Sequence, residues 1–128
     1  LSEEFHLPLI IHAVRTYPEI ISSRKKLKAS SPWIVHGFTG NGETMKQLMR
    51  HDIMISFGIS ILKKDNTAQT ILNCPAEFLF LETDDSGADI KDIYQKAASL
   101  REMHVEDLRS MIGGNFRKIF PFRKFFPC

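Results

Sequence analysis

Four apolar runs divide this sequence at nearly even intervals, and that spacing constrains the fold more than any other feature. They begin at Leu7 (LPLIIHAV), Trp33 (WIVHGF), Ile53 (IMISFGISIL) and Phe78 (FLFL), so successive starts lie 26, 20 and 25 residues apart. Short apolar runs rich in β-branched residues and bounded by turn residues read as strands buried on both faces. Intervals of this size hold one strand and one helix. Between the runs, helices are expected over Tyr17–Ala29, Asn41–Arg50, one or two turns of Thr67–Leu72, Ile90–Met103 and Val105–Phe120. In the first of these, Ile20, Ile21 and Leu27 lie among Arg24, Lys25, Lys26 and Lys28, which predicts a solvated basic face. Leu1–His6 reads as the last turns of a further helix, and Lys63–Asn66 as a polar loop. A βαβαβαβα chain with right-handed crossovers gives four neighbouring parallel strands, near 7–14, 33–38, 53–62 and 78–84, alternating with helices. Two α/β architectures accommodate this: an open doubly wound sheet, or one half of a (β/α)₈ barrel, whose complete form needs about 250 residues.

Composition narrows the class without choosing a function. With 43% hydrophobic and 25% charged residues in 128, the chain is an ordinary globular domain and neither disordered nor fibrous. A formal charge of +2 is far from the field of a protein built to coat nucleic acid, and it does not exclude a phosphate-bearing partner. Cys74 and Cys128 form no C-x-x-C pattern, so reduced thiols in a cytoplasmic protein are expected. No apolar stretch approaches the roughly 20 residues of a membrane span, and no membrane partner is expected. Residues 1–120 form the α/β unit, and 121–128, within the run RKIFPFRKFFPC, read as a basic aromatic tail.

In parallel α/β folds every strand points its C-terminus at one rim, so end-of-strand residues distant in sequence meet there. Three of the four ends carry good metal ligands: His12, His36 and Asp84. Taken alone, His36 in WIVHGFTG reads first as a core histidine bonded to backbone; three such ends on one rim bring the ligand reading level with it. Imidazole and carboxylate suit Zn²⁺, Mn²⁺ or Fe²⁺, and a two-His, one-carboxylate iron site is a further reading of the same set. Glu82 shares the facing of Asp84 by strand alternation, either supporting the ligands from behind or held in a salt bridge inside the barrel. His51 follows a helix C-terminus, where the macrodipole gives it a structural reason.

The segments LPLIIHAVR, VHGFTG, SFGISI, FLETDD and NFRKIF, in this order and with these separations, resemble the C-terminal half of the TatD family of metal-dependent deoxyribonucleases. The resemblance covers Leu1 to about Phe120. It implies the C-terminal half of a (β/α)₈ TIM barrel and hydrolysis of DNA phosphodiester bonds by a metal-activated water. The implied cofactor is a divalent metal (Zn, Mg or Mn), with two ions in the complete protein. The implied ligands are His12, His36 and Asp84, with Asp84 as general base. Arg15, Thr39, Gly40, Lys63 and Lys64 fall on loops at the same rim, where backbone N–H groups and positive charge could hold a phosphate; a solvated loop is the plainer role for the two lysines.

The family's site also uses an H-x-H pair on its first strand and a bridging glutamate on its fourth, both in a part that precedes Leu1. This sequence contains no H-x-H, and a fragment is the expectation. Four parallel strands leave two unpaired edges, and the inward faces, Ile10, His12, Ile34, His36, Ile55, Phe57, Leu79 and Leu81 or their alternates, would meet water. A missing N-terminal half or a second copy of the chain would cover them. The competing readings are thus half of a metal-dependent nuclease, a catalytically incomplete structural or oligomerising half-barrel, and a module whose aromatic tail touches nucleic acid.

Overall fold

A computed structural model describes residues 1–120; the expected tail at 121–128 lies outside the described residues. Each strand–helix unit is bounded by identifiable local chemistry. A short α1 (Ser2–Phe5) leads into β1 (Leu9–His12), and α2 (Tyr17–Leu27) follows with a proline in its first turn, where the missing N–H is no loss. It stops at Lys28, whose left-handed backbone lets its N–H bond the Arg24 and Lys25 carbonyls. After β2 (Trp33–His36), Asn41 caps α3 (Gly42–Met49) by accepting the Thr44 N–H at 2.9 Å on its side chain. The chain continues through β3 (Ile53–Phe57), α4 (Ser60–Lys63), α5 (Asp65–Leu72) and a 3₁₀ turn at Ala76–Phe78 to β4 (Leu79–Leu81). Asp89 caps α6 (Ile90–Leu100) through the Lys91 N–H, and α7 (Val105–Ile119) carries acids in its first turn and bases in its last.

The four strands form one parallel sheet in the order β1-β2-β3-β4. Strictly consecutive order without a reversal is barrel order, whereas a doubly wound sheet turns back at a switch point. Register fixes which residues share a face: Ile10 lies opposite Ile34 opposite Met54, and Ser56 opposite Phe80. The concave face therefore carries Ile10 and His12, Ile34 and His36, Met54 and Ser56, then Phe80 and Glu82. The expected inward set holds for β1 and β2, while β3 and β4 present the alternates. Ile55, Phe57 and Leu79 instead pack outward, in the core with Met45, Leu48, Ile61, Ile71, Ile93, Ala97 and Leu108. Buried Asn115 of α7 donates its side-chain amide to the Ala76 and Leu79 carbonyls, tying the last helix to the start of β4.

Several boundaries differ from expectation. The third strand ends at Phe57, not Leu62: Gly58 breaks it and Ser60–Lys63 turns into helix, because a short apolar run reads alike in both states. Lys63 closes α4 and Lys64 precedes α5, so the expected polar loop at Lys63–Asn66 is two abutting helix ends. The other strands are shorter than their runs. On α2, Arg24 is not part of a solvated face: it is buried, its guanidinium lies 5.3 Å over the Trp33 ring, and it donates to the Ser31 carbonyl at 3.0 Å. Burial pushes its pKa down. No helix among the described residues is long and apolar enough to cross a membrane.

Candidate metal centre

The rim is built by register. His12 lies directly opposite His36 on β1 and β2, so both rings stand on the concave face with centroids 4.7 Å apart. His12 Nδ1 is 2.8 Å from His36 Nε2. Asp84 arrives from beyond β4 in a left-handed backbone conformation (φ 50°), which aspartate tolerates better than most residues. One ligand atom each from His12, His36 and Asp84 lies within 4.8 Å of the other two. His12 and Asp84 are exposed and His36 is half-buried.

Glu82 organises the cluster. One carboxylate oxygen accepts the Gly37 N–H at 2.7 Å and lies 3.2 Å from His36 Nδ1; the other accepts the Ser56 hydroxyl. A carboxylate only accepts, so His36 carries its proton on Nδ1 and turns the Nε2 lone pair to the rim. The contact is compatible with both roles open to Glu82: a hydrogen bond that holds the His36 ring from behind, and an ion pair if that ring is protonated. The same tautomer makes His12 Nδ1 the donor to His36 Nε2. Room for Glu82 comes from glycine. A Cβ on Gly58 would stand 3.3 Å from Glu82 Cγ, and Gly37 adopts φ +64° beside it.

The donor set fits a divalent ion. Ligand bonds near 2 Å put two ligands of one ion about 3 to 4 Å apart, so separations of up to 4.8 Å would close slightly while the His12–His36 hydrogen bond at 2.8 Å would open. Two imidazoles with a carboxylate match the borderline and harder first-row cations as well as zinc.

The remaining expected residues are distributed unevenly. Thr39 lines a cleft of about 170 Å³ with Gly37, Gly58, Ser60, Glu82 and the Thr83–Ser86 turn. Its N–H points to the Tyr17 hydroxyl at 3.4 Å. Arg15 is exposed just beyond β1, with φ 58°. Gly40 does not line the cleft and has a packing reason instead, since a Cβ there would stand 2.6 Å from the Phe38 ring. Lys63 and Lys64 are exposed and also lie outside the cleft lining. His51 follows α3, apart from the cluster, with its N–H on the Leu48 carbonyl. Ser56 and the glycine pair around Glu82 are what sequence reasoning passed over. The signal was a lone polar residue in IMISF, two places after Met54 and hence facing inward.

The family model described as TatD related DNase matches residues 1–121. An uncharacterized metal-dependent hydrolase of Haemophilus influenzae is 33% identical over 86 residues, 66% of this chain and 33% of that protein. The Bacillus subtilis uncharacterized metal-dependent hydrolase YabD is 25% identical over 136 residues, 94% of this chain and 53% of its own length. The chain thus spans a third to about half of these relatives. Among solved structures, the Escherichia coli TatD homologue YjjV superposes with a TM-score of 0.84 at 21% identity, covering 93% of this chain and 52% of that one. A TatD family hydrolase from Entamoeba histolytica gives 0.83 at 16% identity, covering 94% and 53%. At these identities the structures speak for the fold, four strand–helix units of a TIM barrel. The family model spans all but the last seven residues of the sequence, and the chain belongs to the TatD-related DNase family.

Proposed function

We propose that this chain supplies one half of the active site of a divalent-metal-dependent hydrolase that cleaves phosphodiester bonds in DNA in the cytoplasm. The observation that carries the reading is the convergence of His12, His36 and Asp84 at one rim. The family description and the names of the relatives support it. The two histidines would hold the ion through ring nitrogens and Asp84 through a carboxylate oxygen. Such an ion (Zn, Mg or Mn, with a second in the completed barrel) supplies Lewis acidity that acidifies a water and polarises a phosphoryl oxygen. Asp84 takes the proton of the attacking water as its oxygen bonds to phosphorus and the bond to the leaving ester oxygen breaks. Arg15 and the Thr39 side chain hold flanking phosphates, and exposed Lys63 and Lys64 extend the positive surface. The backbone at Gly40 contributes by letting Phe38 brace the rim.

A second reading keeps the fold and removes the activity: a structural half-barrel completed by an N-terminal half or a second copy. The observation favouring it is the position of β1 at the end of the sheet, paired to β2 alone among the described strands, with Ile10 58% exposed on the concave face. One assay separates the two. If the purified 128-residue chain hydrolyses DNA with added Mn²⁺, and His36→Ala and Asp84→Ala each abolish this, the structural reading falls. Inactivity of the lone chain across Zn²⁺, Mg²⁺ and Mn²⁺, restored by a supplied N-terminal half, favours completion in trans. Inactivity that completion does not restore removes the hydrolase reading.

A further inference from the structure

The Ser56 hydroxyl is buried on the concave face of β3, and it donates to the Glu82 oxygen that the Gly37 N–H and His36 do not engage. The Glu82 carboxylate thus has partners from two strands at once, His36 and Gly37 at the end of β2 and Ser56 on β3, while its own backbone N–H, after β4, bonds the Phe57 carbonyl at 3.0 Å. With both oxygens engaged and glycines on two sides, the carboxylate has one orientation that satisfies every partner. We propose that Ser56 is a positioning residue for His36. It acts through Glu82, setting which imidazole nitrogen faces the rim, and it touches no reacting atom. The inference rests on His36 being a metal ligand, as read above, and deepens that reading by adding a residue from a strand that contributes no ligand.

The physical argument concerns rotation. Without the Ser56 donor, one Glu82 oxygen is left in a half-buried site with no described side-chain partner, and the carboxylate gains by turning that oxygen to water. Turning it also moves the other oxygen, which holds both the Gly37 N–H and His36 Nδ1. His36 then loses the acceptor that fixes its proton on Nδ1, and the Nε2–H tautomer, whose rim-facing nitrogen has no lone pair for a cation, gains population.

The test uses the full chain with ¹⁵N-labelled histidine. Long-range ¹H–¹⁵N spectra of the ring report the His36 tautomer, and calorimetry with Zn²⁺ alone reports affinity. Wild type is expected almost entirely as the Nδ1–H form; Ser56→Ala is expected as a tautomer mixture with Zn²⁺ affinity reduced about 10- to 100-fold, the usual cost of losing such a support. Ser56→Thr, which keeps the hydroxyl, is expected to restore the tautomer. An unchanged tautomer in a folded Ser56→Ala overturns the inference, as does failure of a folded Ser56→Thr to restore it. If wild type binds no Zn²⁺, the metal reading falls, while the tautomer spectra still decide the role of Ser56.

Discussion

Two glycines two residues apart, Gly40 and Gly42, give the sharpest test of how this rim is packed. A Cβ built on Gly40 would lie 2.6 and 2.8 Å from two ring carbons of Phe38 and 3.3 Å from the Thr44 Cβ, whereas one on Gly42 meets nothing within 4 Å. Phe38 cannot yield: it is fully buried, 5.3 Å from the Tyr17 ring and 5.5 Å from the Phe57 ring by centroid. Overpacking of this kind costs about 1–3 kcal/mol, against which any Gly→Ala change recovers about 0.4–1 kcal/mol by restricting the unfolded chain. Gly40→Ala is therefore expected to destabilise by about 1–2 kcal/mol. Gly42→Ala, in the first turn of α3, is expected to stabilise by about 0.5–1 kcal/mol, with the unfolded-chain term and helix propensity acting together. Urea unfolding followed by circular dichroism measures both, and the difference of about 2 kcal/mol exceeds the error of the method. A double variant with Phe38→Leu should couple to Gly40→Ala and not to Gly42→Ala. If the two alanine variants shift the midpoint equally and in the same direction, the packing explanation of Gly40 is refuted and the expectation of a phosphate-contacting backbone regains ground.

Two further predictions come from ionisable groups away from the rim. Backbone and hydroxyl donors of Ser30, reinforced by the Ser31 N–H, hold the Glu3 carboxyl down to about 2. Its contribution is therefore present above the unfolded value of 4.5 and is lost as pH falls from there through about 2. The Ser30 and Ser31 amide shifts should titrate with a midpoint near the lower value, and a midpoint near 4.5 would show that α1 is not docked through Glu3. Burial pushes the Cys74 thiol up to about 12. Iodoacetamide at mildly alkaline pH should leave the Cys74 peptide unmodified in the native chain and modify it in concentrated urea, as read by mass spectrometry; equal labelling in both states would refute its burial.

What could be read from sequence follows from what each pattern encodes. The four strands and their parallel order were legible because each apolar run ends in turn chemistry at a strand–helix interval. The end of β3 was not legible, since Ile59, Ile61 and Leu62 suit a strand and a helix equally and only the sharp turn after Phe57 separates them. Facing failed on β3 and β4 for a related reason. A strand buried on both faces shows no alternation, so nothing in IMISF or FLFL marks the inward side except Ser56. The meeting of His12, His36 and Asp84 at one rim was legible because a polar residue at the end of an apolar run is conspicuous. The burial of Arg24 was hidden by its neighbours Lys25 and Lys26, which make the segment look uniformly solvated although the ring of Trp33 lies beneath one of the three.

The hydrogen bonds at the rim share one direction, and this bears on how the half-barrel would take up a cation. Ser56 donates to Glu82, His36 donates to Glu82, and His12 donates to His36, so each proton in the chain points toward a single carboxylate. The support is uneven along that chain. His36 is held by a carboxylate that is itself fixed by the Gly37 N–H and the Ser56 hydroxyl, while exposed His12, on the outermost strand, has its one described ring hydrogen bond to His36. A cation at His36 Nε2 would displace that bond, and His12 would then shift its proton from Nδ1 to Nε2 or turn its other nitrogen inward. A strand paired along the open edge of β1 would restrict that choice by packing against Ile10 and His12. Completion of the barrel should therefore raise cation affinity chiefly through His12, so that His12→Ala costs more affinity in a completed barrel than in the isolated chain, whereas His36→Ala costs a similar factor in both.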